Sequence, residues 1–188
     1  MLASSSRVVA AIVVGAFVLG PPEPAGALRT APAVGARLDA VAVSQATKLE
    51  HPILVALNRI RKEHGLRPLR GAPRLVRAAR AHLRALALAG QFRHEWPDGR
   101  PLDVWIRRFY PVAGARVWMV GETLIWDSGD LTPQRVTQAW LASPPHRHVL
   151  LMPSWRRLGI GAVRATGARG VYAGADVMIV AAEFGVRS

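Results

Sequence analysis

Three polar side chains stand where the surrounding residues are apolar or aromatic, and their types could do chemistry together. His94 follows Gln91-Phe92-Arg93. Glu122 lies inside Met119-Val120-Gly121-Glu122-Thr123-Leu124-Ile125, and His146 follows the proline pair Pro144-Pro145. A carboxylate inside an apolar run is costly unless it has a partner. Two imidazoles and a carboxylate can bind a divalent metal such as zinc, or can orient a water molecule. Taken alone, each of the three also has an ordinary structural or surface reading, and spacing by itself does not bring them together. The other histidines read as structure. His82 falls on the inner stripe of a helix as a hydrogen-bonded core residue, and His51 and His64 flank a helix as exposed residues. His146 and His148 would share a face only in an extended segment, whereas Val149-Leu150-Leu151 reads as a helical turn. His94-Glu95 starts like a zinc-protease helix, but no second histidine follows four residues later.

The elements that must position these residues are legible in outline. Pro52 suits a first helical turn, and Ile53, Leu57 and Ile60 share a face before Gly65 stops the helix. Leu75, Ala78, Ala79, His82, Leu83 and Leu86 recur at helical spacing, with Arg77, Arg80 and Arg84 opposite and Gly90 as the stop. Pro97-Asp98-Gly99 is a turn signal, and residues 101–109 read as a short helix. Residues 118–126 read as extended. Thr132 caps a helix that has Pro133 at its first position and ends at Ser143-Pro144-Pro145. Residues 158–163 and 171–184 read as two strands around a glycine-rich turn. Trp118, Trp126 and Trp155 read as core residues that could also line a groove. Helices followed by a terminal hairpin predict an α+β fold with an antiparallel sheet.

Bulk properties narrow the classes. A length of 188 residues suits one domain, and 51% apolar residues can build its core. Arg7, the apolar run from Val8 to Leu19 and the small-x-small triplet Ala25-Gly26-Ala27 have the layout of a secretory signal peptide. The alternative is an uncleaved anchor, although a membrane helix needs about 20 residues. Residues 1–27 are therefore read as signal peptide, 28–47 as a Pro/Ala-rich linker and 48–188 as the domain, with no transmembrane segment in the mature chain. There is no cysteine, which excludes disulfides, thiol catalysis and cysteine-zinc sites. The net charge of +13 predicts attraction to anionic surfaces. The basic residues are spread along the chain, and they do not point to nucleic acid.

Taken in order, Asn58-Arg59-Ile60-Arg61, Gly65-Leu66-Arg67-Pro68-Leu69, Phe92-Arg93-His94, Asp98-Gly99, Gly121-Glu122, Trp140-Leu141-Ala142-Ser143-Pro144-Pro145-His146-Arg147 and Leu158-Gly159-Ile160-Gly161 resemble the bacterial branch of the CAP superfamily, the SCP-like extracellular domain. The resemblance covers about residues 50 to 186. It implies a three-layer α-β-α sandwich with an antiparallel central sheet. It also implies a surface groove in which His94, His146 and Glu122 hold Zn2+ or another divalent cation. The second acid of many relatives is replaced by Ser143, so Glu95 or Asp98 would have to substitute for it. Thr123 and Val149 stand where relatives carry asparagine.

Two classes of function follow. In the first, the protein is secreted or wall-associated and its groove binds a lipid, a cell-wall polymer or a protein. In the second, Glu122 is the catalytic base of an extracellular hydrolase acting on cell-wall or peptide substrates, with water held by His94 and His146. A third reading, attachment by charge alone, predicts steep loss of binding with salt.

Overall fold

The computed structural model describes residues 41–188, together with the backbone of two short upstream strands, β1 (Val8–Val13) and β2 (Phe17–Val18). The cleavage triplet and most of the linker fall outside the described residues. The strands that follow are β3 (Ala42–Gln45), β4 (Arg70–Gly71), β5 (Val117–Asp127), β6 (Arg157–Ala168) and β7 (Ala175–Arg187). Their order across the sheet is β1-β5-β7-β6-β3. The centre, β5-β7-β6-β3, is antiparallel throughout, while β1 and β2 run parallel to β5 and β4 runs parallel to β6.

Alternation along the strands sorts the core into two faces. On one face Leu124, Val163, Ala165, Val177, Ile179 and Ala181 meet Ala79, Leu83 and Leu86 of α2 (Pro73–Ala89). On the other, Ile125, Ile160, Val180, Ala182 and Phe184 meet residues of α1 (Glu50–Glu63), α4 (Pro133–Ala142) and α5 (Pro144–Leu150). This is a three-layer α-β-α sandwich, with Trp118, Trp140 and Trp155 fully buried in it. A short helix, α3 (Leu102–Trp105), continues as a 3-10 turn and closes the end of the α2 layer.

The motif glycines have a packing reason. Side chains at Gly159 and Gly161 would collide with the backbone of Leu75–Val76 and with Ala79, so α2 lies directly on β6. Asn58 explains its own motif, since its amide both donates to the carbonyl of Leu69 (3.0 Å) and accepts from its N–H (2.7 Å). Buried Arg61 donates to the Leu150 carbonyl at 2.7 Å and so ties α1 to the end of α5.

Strand limits differ from the sequence reading, and β6 and β7 run on to Ala168 and Arg187. Val171 and Tyr172 are not strand. Gly170–Tyr172 is a 3-10 turn because Gly170, at φ +63°, lies against the backbone of Gly90, where a side chain would clash. The Tyr172 hydroxyl donates to the Gln91 carbonyl (2.7 Å) and fixes that turn. Ala42–Gln45 pairs with Val163–Thr166 as an edge strand, upstream of Lys48.

Candidate functional site

The inner stripe of α2 and the α2-facing side of the sheet meet at a small polar cluster. His82 projects from α2, and Glu122 projects from the middle of β5. Gly90, in the left-handed conformation at φ +65°, ends α2 and turns the chain so that His94 returns to the same place. The β5–β7 register sets Glu183 directly opposite Glu122. All four are buried, and the His94 side chain keeps the largest exposure the ion pairs of this cluster show, 7%.

Both oxygens of Glu122 are engaged. His82 Nδ1 lies 2.7 Å from one and His94 Nδ1 lies 2.6 Å from the other. The remaining nitrogen of His82 faces the Glu95 carbonyl at 3.1 Å. With an oxygen at each nitrogen, His82 serves as donor at both and is the cationic partner of Glu122. Its ring is held between Trp96 (centroids 5.8 Å apart) and Trp105 (4.5 Å), and Trp105 donates its indole N–H to the His94 carbonyl. Burial alone would raise the pKa of Glu122. The charge and hydrogen bond of His82, joined by His94, outweigh it and hold Glu122 below the ordinary carboxyl range. Glu183 goes the other way: burial, and then the Glu122 charge facing it, push its pKa well above that range. Glu183 is therefore the protonated member of the facing carboxyl pair, and neither of its oxygens has a hydrogen-bond partner among the described residues.

His94 is left with one unused atom. Its Nδ1–H is spent on Glu122, and its Nε2, a lone-pair acceptor in that tautomer, has no hydrogen-bond partner among the described residues. His146 is buried in the first turn of α5, on the same helix face as Val149 and Leu150, and His148 points outward. Among the described residues, the group of three ligating side chains whose donor atoms lie within 4.8 Å of one another is His82, Glu122 and Glu183, and this group could hold a metal ion. His94 thus joins Glu122 directly, while His146 is not a member of that group.

The second acid of the cluster is Glu183 rather than Glu95 or Asp98. Glu95 contributes its carbonyl, and Asp98 pairs on the surface with Arg100 at 2.8 Å. Glu183 carried the same signal that singled out Glu122, an acid inside the apolar run Val177–Phe184. Thr123 faces the opposite side of the sheet by alternation.

An antiparallel sheet sandwiched between helices, with histidines gathered on a buried glutamate, is the arrangement of an SCP-type extracellular domain. Residues 54–179 match CAP, the cysteine-rich secretory protein family, and the chain belongs to that family. It is 30% identical over 125 residues to the uncharacterized protein YkwD of Bacillus subtilis, a match that takes in 66% of this chain and 46% of that protein. The chain thus spans less than half the length of that relative. Two solved structures share the fold. An outer surface protein of Borrelia burgdorferi has a TM-score of 0.55 at 20% identity, covering 72% of this chain and 90% of that one. An extracellular SCP-domain protein of Bacillus anthracis has a TM-score of 0.56 at 22% identity, covering 76% and 41%. Among the described residues no helix is long and apolar enough to cross a membrane.

Proposed function

We propose that the protein is an exported binding module, secreted or wall-associated, that takes an extracellular lipid, wall component or protein beside His94. The observation that carries this reading is the state of His94. A buried carboxylate fixes its Nδ1–H at 2.6 Å, and its Nε2 lone pair is unspent. That is how proteins orient a histidine that ligates a metal or accepts from a ligand, with the carboxylate behind the ring rather than at the ligand. His94 Nε2, together with His146, would hold a divalent cation, zinc foremost, which would supply a Lewis-acidic anchor for a ligand oxygen. The donor chemistry fits zinc. Glu122 then serves as a positioning residue. Fully buried, with an imidazole on each oxygen, it supports binding over use as a base on water.

The upstream segment bears on access. β1 and β2 pair along the outer edge of β5, with Val13 in register with Glu122. Removal of residues 1–27 as a signal peptide would free that edge as the floor of the groove. The test is calorimetric zinc titration of the secreted protein, its N-terminus sequenced, beside a His94→Ala, His146→Ala double variant. One-to-one binding abolished in the variant is expected. A folded protein that binds no zinc removes the metal, and wild-type affinity in the variant removes both histidines as ligands.

A further inference from the structure

A second site lies at the far end of β7, where arginines from four separate parts of the chain converge. One cavity, of about 470 Å3, is lined by Arg67, Arg70 and Arg156, and a second, of about 420 Å3, by Arg74 and Arg77. Arg157 and Arg187 line both, so the two form one continuous groove. Among the described residues, no acidic residue lines either cavity. Arg59, Arg80, Arg100, Arg107, Arg135 and Arg164 each lie within 4.0 Å of a carboxylate, whereas none of the groove arginines does among the described residues. All seven are exposed.

The backbone enforces this crowding. The parallel pairing of β4 with β6 sets Arg70 opposite Arg157, and like charges directly opposite on paired strands repel. Arg74 and Arg77 stand at the start of α2, whose first turn holds no acidic residue, so cations sit at the positive end of the helix dipole. The repulsion reaches the interior: burial and then Arg156 lower the pKa of Arg61. Two of the guanidiniums are already held in place. Arg156 donates to the carbonyls of Pro153, Ser154 and Trp155 at 2.8–2.9 Å, and Arg187 lies over the Tyr110 ring at 5.4 Å. The groove is separate from the histidine cluster. Arg187 is four residues beyond Glu183, about 13 Å along the strand. Tyr110 and Leu75 pack over Gly185 between them.

We propose that this groove binds a phosphate-bearing chain, a linear polyanion without bases. Arginine supplies a planar fork that matches phosphate oxygens, and several unpaired forks along a groove require several anionic groups on one ligand. Single-stranded nucleic acid is disfavoured because its grooves offer aromatic faces for stacking. Here the aromatic residue in the lining is Tyr110, buried and covered by Arg187. A concave groove also fits a chain better than the flat surface of a membrane.

The test is fluorescence anisotropy of labelled inorganic polyphosphate with the full chain, at several salt concentrations. An Arg157→Gln, Arg187→Gln variant is compared with Arg59→Gln, Arg84→Gln, which removes the same charge from elsewhere on the surface. At least tenfold weaker binding is expected for the groove variant, with less than twofold change in the control, and the salt slope should fall by about 1–2. Inorganic phosphate alone should compete only at far higher concentration. Equal losses in both variants would reduce the effect to net charge. No binding, equal potency of free phosphate, or tighter groove-dependent binding of a single-stranded oligonucleotide would each overturn the proposal.

Discussion

Replacing Glu183 with glutamine should stabilise the protein, and by an amount that grows with pH. Glu183 and Glu122 face each other with no solvent access, and burial plus the Glu122 charge keep Glu183 protonated above the ordinary carboxyl range. An unfolded glutamate ionises at about pH 4.3. A group whose folded pKa is raised contributes stability that is fully present below the unfolded value and is lost as pH rises through the folded one. Between those limits the folded state holds one proton more than the unfolded state. Stability then falls by about 1.4 kcal/mol per pH unit. Glutamine has nearly the same shape and never titrates. The two proteins should match near pH 4 and diverge above pH 5, the variant gaining about 3–6 °C in Tm per pH unit. Glu122, His82 and His94 are present in both proteins, so their contributions largely cancel in the difference. The assay is urea and thermal unfolding from pH 4 to 8 with chelator present. A gap that does not change with pH would refute the protonated carboxyl. A variant less stable than wild type at neutral pH would show that Glu183 is ionised there and stabilises the fold as a carboxylate.

His82→Gln should cost about 3–5 kcal/mol, because it leaves a buried carboxylate without its cationic partner; urea unfolding at pH 7 measures this. Gly159→Ala should lose about 1–3 kcal/mol by pushing α2 off β6, with a matching drop in Tm. Trp155→Ala should cost about 3–5 kcal/mol, as it empties a fully buried site and strands the Val149 carbonyl that its indole N–H bonds at 2.8 Å. Zinc binding by His82, Glu122 and Glu183 would expel the proton of Glu183, whereas binding through His94 Nε2 would leave that proton in place. Calorimetry in two buffers of different ionisation enthalpy separates these cases.

What could be read from the chain was whatever depends on periodicity. The α2 stripe, including His82 on its inner side, follows from spacing, and so do the caps at Thr132 and Gly90. The burial cost of an acid in an apolar run located Glu122 and, applied once more, would have located Glu183. The pairing of these residues depends on the register between β5 and β7, which spacing within either strand does not encode. The arginine groove escaped for a related reason. Its members are scattered from Arg67 to Arg187, and they meet through β4, a two-residue strand whose pairing with β6 leaves no periodic trace. The turn at Gly170–Tyr172 was hidden because Val171 and Tyr172 have strand-like side chains. The decisive contact there is between two glycine backbones.

The two sites also obey opposite electrostatic rules, and this explains why they lie apart. In the buried cluster the Glu122 carboxylate is held between two imidazoles and the facing Glu183 carboxyl stays protonated, so negative charge does not accumulate there. A net charge there would carry a large desolvation penalty. In the groove, seven guanidiniums remain uncompensated because water and salt screen them while they await an anion. Moving the groove arginines nearer to Glu122 would offer its carboxylate competing partners and loosen its hold on His94. The packing of Tyr110 and Leu75 over Gly185 separates the groove arginines from the carboxylate that holds His94.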